Sequence, residues 1–354
     1  RKESSAASDV YKRQAMDPAA LTPEQRQAHK NAIRGFVLSG AELQGEARTR
    51  YAQIQDRMAE LAQKFSENAL DSTDAYAHYA GESEVEGIPG DALEAAAEGA
   101  KADGREGYKF TLKLPSYLPV MQYARSSALR ETLYRAYATR ASELAEGDAV
   151  KFDNTAIVRE ILALRHEEAQ LLGYPDFATV SVVPKMAESP EQVITFLRDL
   201  ATRARPYALQ DLADLREFAA QELGLPDPQP WDWPYVGEKL KEARYSFSDQ
   251  EVKLYFPAPK VLAGLFKIVE TLFGVAIRRD QAPVWHPSVE FYRIERAGER
   301  VGQFYLDPGA RKGKRGGAWM DDVRTRWLRP DNGHLQTPVA LSLIHISEPT
   351  RLRR

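Results

Sequence analysis

The chain contains no cysteine among its 354 residues. That excludes a disulfide scaffold, a thiol nucleophile and every thiolate-based zinc site, and it fits a reducing compartment. Charge of one sign is also missing: Lys and Arg total 48 against 51 for Asp and Glu, a net charge of -3. A nucleic-acid binder usually carries a basic excess, so the balance argues against one. Long hydrophobic runs are absent as well. The longest, Val261 to Ile277, is interrupted by Lys267 and Glu270 and falls short of the ~20 apolar residues that cross a bilayer. Arg1-Lys2-Glu3-Ser4-Ser5 offers no apolar core of a signal peptide. The expectation is a cytoplasmic protein with no membrane and no nucleic-acid partner.

What is present suits a folded protein. Hydrophobic residues make up 43% and charged residues 28%, an ordinary globular balance. The length corresponds to about two or three domains. Thr22-Pro23-Glu24-Gln25 predicts a capped helix start, with Pro at the first helical position, and Ser39-Gly40 predicts its end. In the next helix Tyr51, Ile54, Met58, Leu61 and Phe65 recur three and four apart, a packing seam. Gly87-Ile88-Pro89-Gly90 breaks the pattern, and Asp91 is expected to cap a short Ala-rich helix. Alternation from Tyr108 to Leu114 predicts a strand, closed by Pro115 and Pro119.

Helices are then predicted through Tyr137, from Asp153 to Leu172, after Ser189-Pro190-Glu191-Gln192 with a kink at Pro206, and twice more before Gly274. Val289 to Leu306, folded back at Ala297-Gly298, predicts a β-hairpin. The fold class expected is mainly α: a multi-helix body with a small β element near 289–306. Residues 15–274 form the helical body and 275–340 the β-containing segment. The two ends, 1–14 and 341–354, join no periodic pattern and resemble translated sequencing-adapter read-through, notably Ser8–Gln14 and Ser342–Arg351. They are expected to be non-native tails with few tertiary contacts.

The motifs are sparse. His166-Glu167-Glu168-Ala169-Gln170 comes near the zinc-binding His-Glu-x-x-His pattern, in which two imidazoles four apart share a helix face. Its second histidine is replaced by Gln170, and none of the six histidines has another four positions away; an ordinary helix face is expected. Arg311–Gly317 does not fit a phosphate-binding loop and reads as a turn of solvated charge. Asp321-Asp322 is a weak candidate for a hard cation, because successive residues point apart. Trp285-His286-Pro287 reads as a loop anchored by a buried Trp.

Several ordered runs carry a resemblance. Pro115-Ser116-Tyr117-Leu118-Pro119-Val120-Met121, Tyr134 to Ser142, Glu160 to Glu167, Lys185-Met186-Ala187-Glu188, Val284-Trp285-His286-Pro287, Gly302 to Asp307, Lys314 to Asp322 and Gln336-Thr337-Pro338-Val339-Ala340 follow one another in order. From about Leu21 to Ala340 the chain resembles the thimet oligopeptidase family of zinc metallopeptidases. The resemblance implies a mainly helical fold with a channel for short peptides. It also implies zinc held by a His-Glu-x-x-His helix and a later Glu, with the motif Glu activating the metal-bound water.

In that family the zinc helix lies a few tens of residues beyond the Gln-Thr-Pro-Val-Ala run. No counterpart of it, of the third ligand or of the family's N-terminal portion is found in this sequence, and Gly309 stands where the family has an aromatic residue. The expectation is therefore a fragment of a zinc endopeptidase, itself without a zinc site, catalytic residues or activity. Its substrate-groove candidates are Phe304, Tyr305, Asp307, Arg311, Gly316 and Gly317. Truncation is expected to expose apolar surface along Phe291–Leu306. The alternative is a non-catalytic helical scaffold or peptide-binding module.

Overall fold

A computed structural model describes residues 16–347, apart from 312, 315 and 316. Residues 1–15 and 348–354, and with them most of the expected tails and candidate Gly316, lie outside the described residues. The described chain is mainly helical, with strands concentrated after Gly274. Its contacts divide it into two compact units. The first takes in the described residues up to Ala69, Ala141–Glu143 and Val150–Leu212; the second holds Leu70–Arg140, Leu144–Ala149 and the chain from Ala213 on.

In the first unit the predicted helix start is present in full. Thr22 Oγ accepts from the Gln25 amide at 3.3 Å, and the Gln25 side chain accepts from the Thr22 amide at 3.0 Å. That helix spans Pro23–Leu38, and the next spans Gly45–Ala75. The seam of the second helix is the core: Ile54 and Leu61 are buried against Leu164 of the Thr155–Leu171 helix, with Met58, Ile157 and Ile161 beside them. Phe65, the last seam residue, is exposed. Arg50 and Arg57 fork onto Glu167 and Glu160 at 2.6–2.9 Å and tie the same two helices on their polar side. A helix from Pro190 to Glu222 begins with the predicted Ser189 cap and continues through Pro206.

The second unit has its core between the Gly90–Ala102, Leu114–Tyr123 and Ser127–Ala138 helices, where Phe110, Val120, Met121, Leu129 and Leu133 are almost fully buried. Two local expectations are corrected here. Asp91 sits inside the first turn of its helix, whose cap position is Pro89, and its carboxylate accepts from the adjacent Ala92 amide. The strand expected over Tyr108–Leu114 ends at Phe110. Leu114 already begins a helix, because Pro115 falls in the first turn, where no backbone donor is needed. β1 (His78–Ala80) pairs antiparallel with β2 (Tyr108–Phe110).

The hairpin is larger than predicted. β3 (Ala276–Arg279), β4 (Glu290–Arg296), β5 (Glu299–Gly309), β6 (Ala318–Arg324) and β9 (Val339–Ser347) form one sheet in the order β3-β4-β5-β9-β6, while β7 (Trp327–Leu328) and β8 (Leu335–Gln336) pair separately. Ala297 and Gly298 turn the hairpin with φ of +50° and +81°, the positive values that a twist-compatible two-residue turn requires.

β9 corrects a further expectation. Leu341–Ser347, expected to make few tertiary contacts, lie in mid-sheet, parallel to β5 and antiparallel to β6. The physical reason is local: Leu341, Leu343, Ile344 and Ile346 are strand formers that prolong Val339-Ala340. The exposed apolar surface is also not where it was expected. Phe291 and Leu306 are buried, and Phe266 lies edge-on to Tyr292 and Phe304.

Candidate functional site

The described candidate residues lie on β5 and the loop that follows it, within the second unit. Strand alternation separates them. Phe304 stacks on its cross-strand partner Tyr292, with ring centroids 5.2 Å apart, and both meet Phe266 of the Ala258–Phe273 helix. Tyr305 lies instead against Phe291 at 4.5 Å and Trp285 at 5.1 Å. Phe304 and Tyr305 therefore serve different faces of the sheet.

Asp307 is the centre of the second group. It is fully buried, and Arg311 grips both carboxylate oxygens at 2.7 and 2.6 Å. Lys314 Nζ lies 3.0 Å from Oδ1 and also donates to the carbonyls of Asp307 and Gly309 at 2.6 and 2.8 Å. The Trp285 indole N–H donates to Oδ2 at 3.2 Å. Burial pushes the Asp307 carboxyl up, but the hydrogen bonds and charges of Arg311 and Lys314 outweigh it and hold the group below the usual carboxylate value. The same burial lowers the Lys314 ammonium against the raising effect of Asp307.

The loop was expected to be a turn of solvated charge; Arg311 and Lys314 instead turn inward, and Lys314 is only 7% exposed. A second carboxylate, Asp74, takes the Gly313 amide at 2.7 Å and pairs with Lys113 at 2.8 Å. Gly317 has a φ of +102°, a conformation that favours glycine where the chain turns into β6. Trp285, expected to be buried, is 51% exposed and holds its loop through the bond to Asp307 rather than through burial.

A cavity of about 800 Å³ opens beside Phe266 and Tyr292. One wall is Pro259, Leu262, Ala263 and Phe266; the other is His286–Ser288 and Pro308–Arg311, with Arg279, Glu290 and Tyr292 completing it. Glu290 accepts from the Tyr292 hydroxyl at 2.6 Å and pairs with Arg279 at 3.1 Å; burial and that carboxylate push the Tyr292 hydroxyl up to about 12. His286 Nδ1 accepts from the Ser288 amide at 3.2 Å and lies 2.8 Å from its hydroxyl, a closed turn rather than a nucleophile with a free base. Gly309 lines this cavity, and a side chain there would first meet Ser288 Oγ at 3.8 Å.

Of the five candidates among the described residues, then, Asp307 and Arg311 bond to each other, Tyr305 joins them through Trp285, and Phe304 and Gly317 stand apart; the sixth, Gly316, lies outside them. Sequence reading missed Lys314, Trp285, Glu290 and Tyr292 as members of the site. Only the period-two placement of Glu290 and Tyr292 on a predicted strand hinted at a shared face.

Among the described residues no three His, Asp or Glu side chains converge so as to hold an ion. Around His166 the side chains are committed to packing. Glu167 pairs with Arg50, Glu168 takes the Gln55 amide at 2.9 Å, and Gln170 donates to the carbonyls of Tyr174 and Pro175. Asp321 and Asp322 lie on the exposed β6 strand, where Asp321 accepts the Asp322 amide. Neither of these two groups, as described, is arranged to hold a catalytic zinc.

Residues 120–353 match the sequence profile of Peptidase family M3. The chain belongs to that family. This M3 chain is 46% identical over 334 residues to Oligopeptidase A of Salmonella typhimurium and equally to that of Escherichia coli, covering 94% of the chain and 49% of each relative. It is 42% identical to Oligopeptidase A of Haemophilus influenzae over 328 residues, 92% of the chain and 48% of the relative. It thus spans about half the length of these relatives. The family assignment agrees with the mainly helical fold and with the resemblance read from the sequence.

Proposed function

We propose that this M3 chain is one part of a zinc-dependent endopeptidase that hydrolyses peptide bonds in short peptides, and that the chain by itself does not cleave them. The observation that carries the first half is the 46% identity to Oligopeptidase A across 94% of the chain. The second half is supported by donor chemistry. A catalytic zinc takes three protein ligands and one open position, whereas this sequence has no thiolate and no histidine pair at helical spacing. The zinc, when the parent enzyme holds it, would polarise the scissile carbonyl and activate water; in this reading its ligands come from outside the chain described here. A cytoplasmic setting belongs to the same proposal.

Within this reading the chain's own residues shape and position. Arg311 and Lys314, both paired with the single carboxylate of Asp307, fix the loop after β5. The aromatic row of Phe266, Tyr292 and Phe304, together with the cavity above it, gives an apolar groove wall with Arg279 and Glu290 at its rim. A peptide uses both characters, side chains against rings and backbone against polar groups.

The cheapest test is to read the genomic sequence downstream of the Ala340 codon. A His-Glu-x-x-His codon pattern within a few tens of codons supports the peptidase reading. An immediate stop codon favours the non-catalytic module and overturns it.

A further inference from the structure

The Ala258–Phe273 helix is apolar over two adjoining rows but is covered on only one. Leu262, Phe266 and Val269 are partly covered, and Phe266 meets the rings of Tyr292 and Phe304 on the sheet. The neighbouring row of Val261, Leu265, Ile268 and Leu272, spaced four, three and four apart, is 45%, 50%, 59% and 71% exposed. Only Lys260, Lys267 and Glu270 are charged in the whole helix, and none of its residues is fully buried. A helix apolar over so wide an arc belongs inside a larger protein.

We infer that this second row is the docking surface for the portion of an M3 peptidase lying outside the half matched here. The inference rests on the functional reading above. The length of the relatives chooses this occupant over a second copy of the chain: each carries about as much chain again beyond the part matched here. Lys260 and Lys267 rim the row, so the partner surface is apolar with acidic residues at its edge.

The test is reconstitution. The chain is mixed with the separately produced C-terminal portion of Escherichia coli Oligopeptidase A that follows its counterpart of Gln336–Ala340, and association is measured by sedimentation. Leu265→Asp and Ile268→Asp are compared with Val193→Asp, a control on the first unit; circular dichroism confirms that each variant folds. The inference expects association, weakened at least tenfold by L265D and I268D and unchanged by V193D. It is overturned by no association, by association indifferent to L265D and I268D, or by a dimer of the chain that those substitutions abolish. Peptide cleavage by the mixture is read separately. A complex that forms through this row yet never cleaves would refute the functional reading while leaving the docking surface standing.

Discussion

Arg311 and Asp307 form a two-pronged ion pair, 2.7 and 2.6 Å long, between the end of β5 and the loop that follows it, with the carboxylate fully out of solvent. Lys314 completes it from the far side of the same loop. Two cations on one buried carboxylate make the loop's shape conditional on that charge.

Replacing Asp307 with Asn leaves two inward-facing cations without their counter-ion. The expected loss is about 3–5 kcal/mol, the usual result of breaking a buried pair from one side, read as a lower urea midpoint. The native carboxyl sits below its ordinary value in the fold, so its stabilisation is complete above that ordinary value and is lost as pH falls through the folded one. D307N should remove that acid limb from a plot of stability against pH. An unchanged acid limb would show that Asp307 is not its source.

Glu168 titrates in the opposite sense. It is buried on the Thr155–Leu171 helix, its Oε2 has no hydrogen-bond partner, and burial raises its carboxyl above the ordinary value. The folded state therefore holds the proton more tightly than the unfolded one, and stability falls as pH rises through the raised value. Glu168→Gln keeps an acceptor for Gln55 and removes the charge. At neutral pH the variant should be more stable by on the order of 1 kcal/mol, with the difference vanishing in acid. A variant less stable at every pH would contradict this.

The hairpin turn gives a third prediction. Ala297 has a Cβ at a φ of +50°, where Asn is much better tolerated. Ala297→Asn should stabilise the β4–β5 hairpin by about 0.5–1 kcal/mol, and Ala297→Val should destabilise it. Hydrogen exchange of the Glu299 amide reads both, and equal protection in the two variants would refute the turn assignment.

How much of this was legible in the sequence depends on range. The Thr22 and Ser189 caps, the Ile54–Leu61 seam and the Ala297-Gly298 turn rest on neighbours within one or two turns, and each is present as read. The strand over Tyr108–Leu114 was misread because Leu112 and Leu114 continue the alternation while Pro115 favours a helix start. The mid-sheet place of β9 was invisible because it depends on pairing with β5 and β6 from far along the chain. The site shows the same limit. Asp307 and Arg311 are four apart and were both singled out, whereas Lys314 had been read as solvated, and Trp285 reaches Asp307 only through the folded loop.

The measurement that bears most directly on the account is metal content together with peptide hydrolysis by the purified chain. The protein is dialysed against zinc, its bound metal is counted, and a quenched fluorescent peptide is supplied with and without a chelator. The account predicts no stoichiometric zinc and no chelator-sensitive cleavage from the chain alone. One tightly bound zinc per chain, with cleavage that a chelator abolishes, would contradict it.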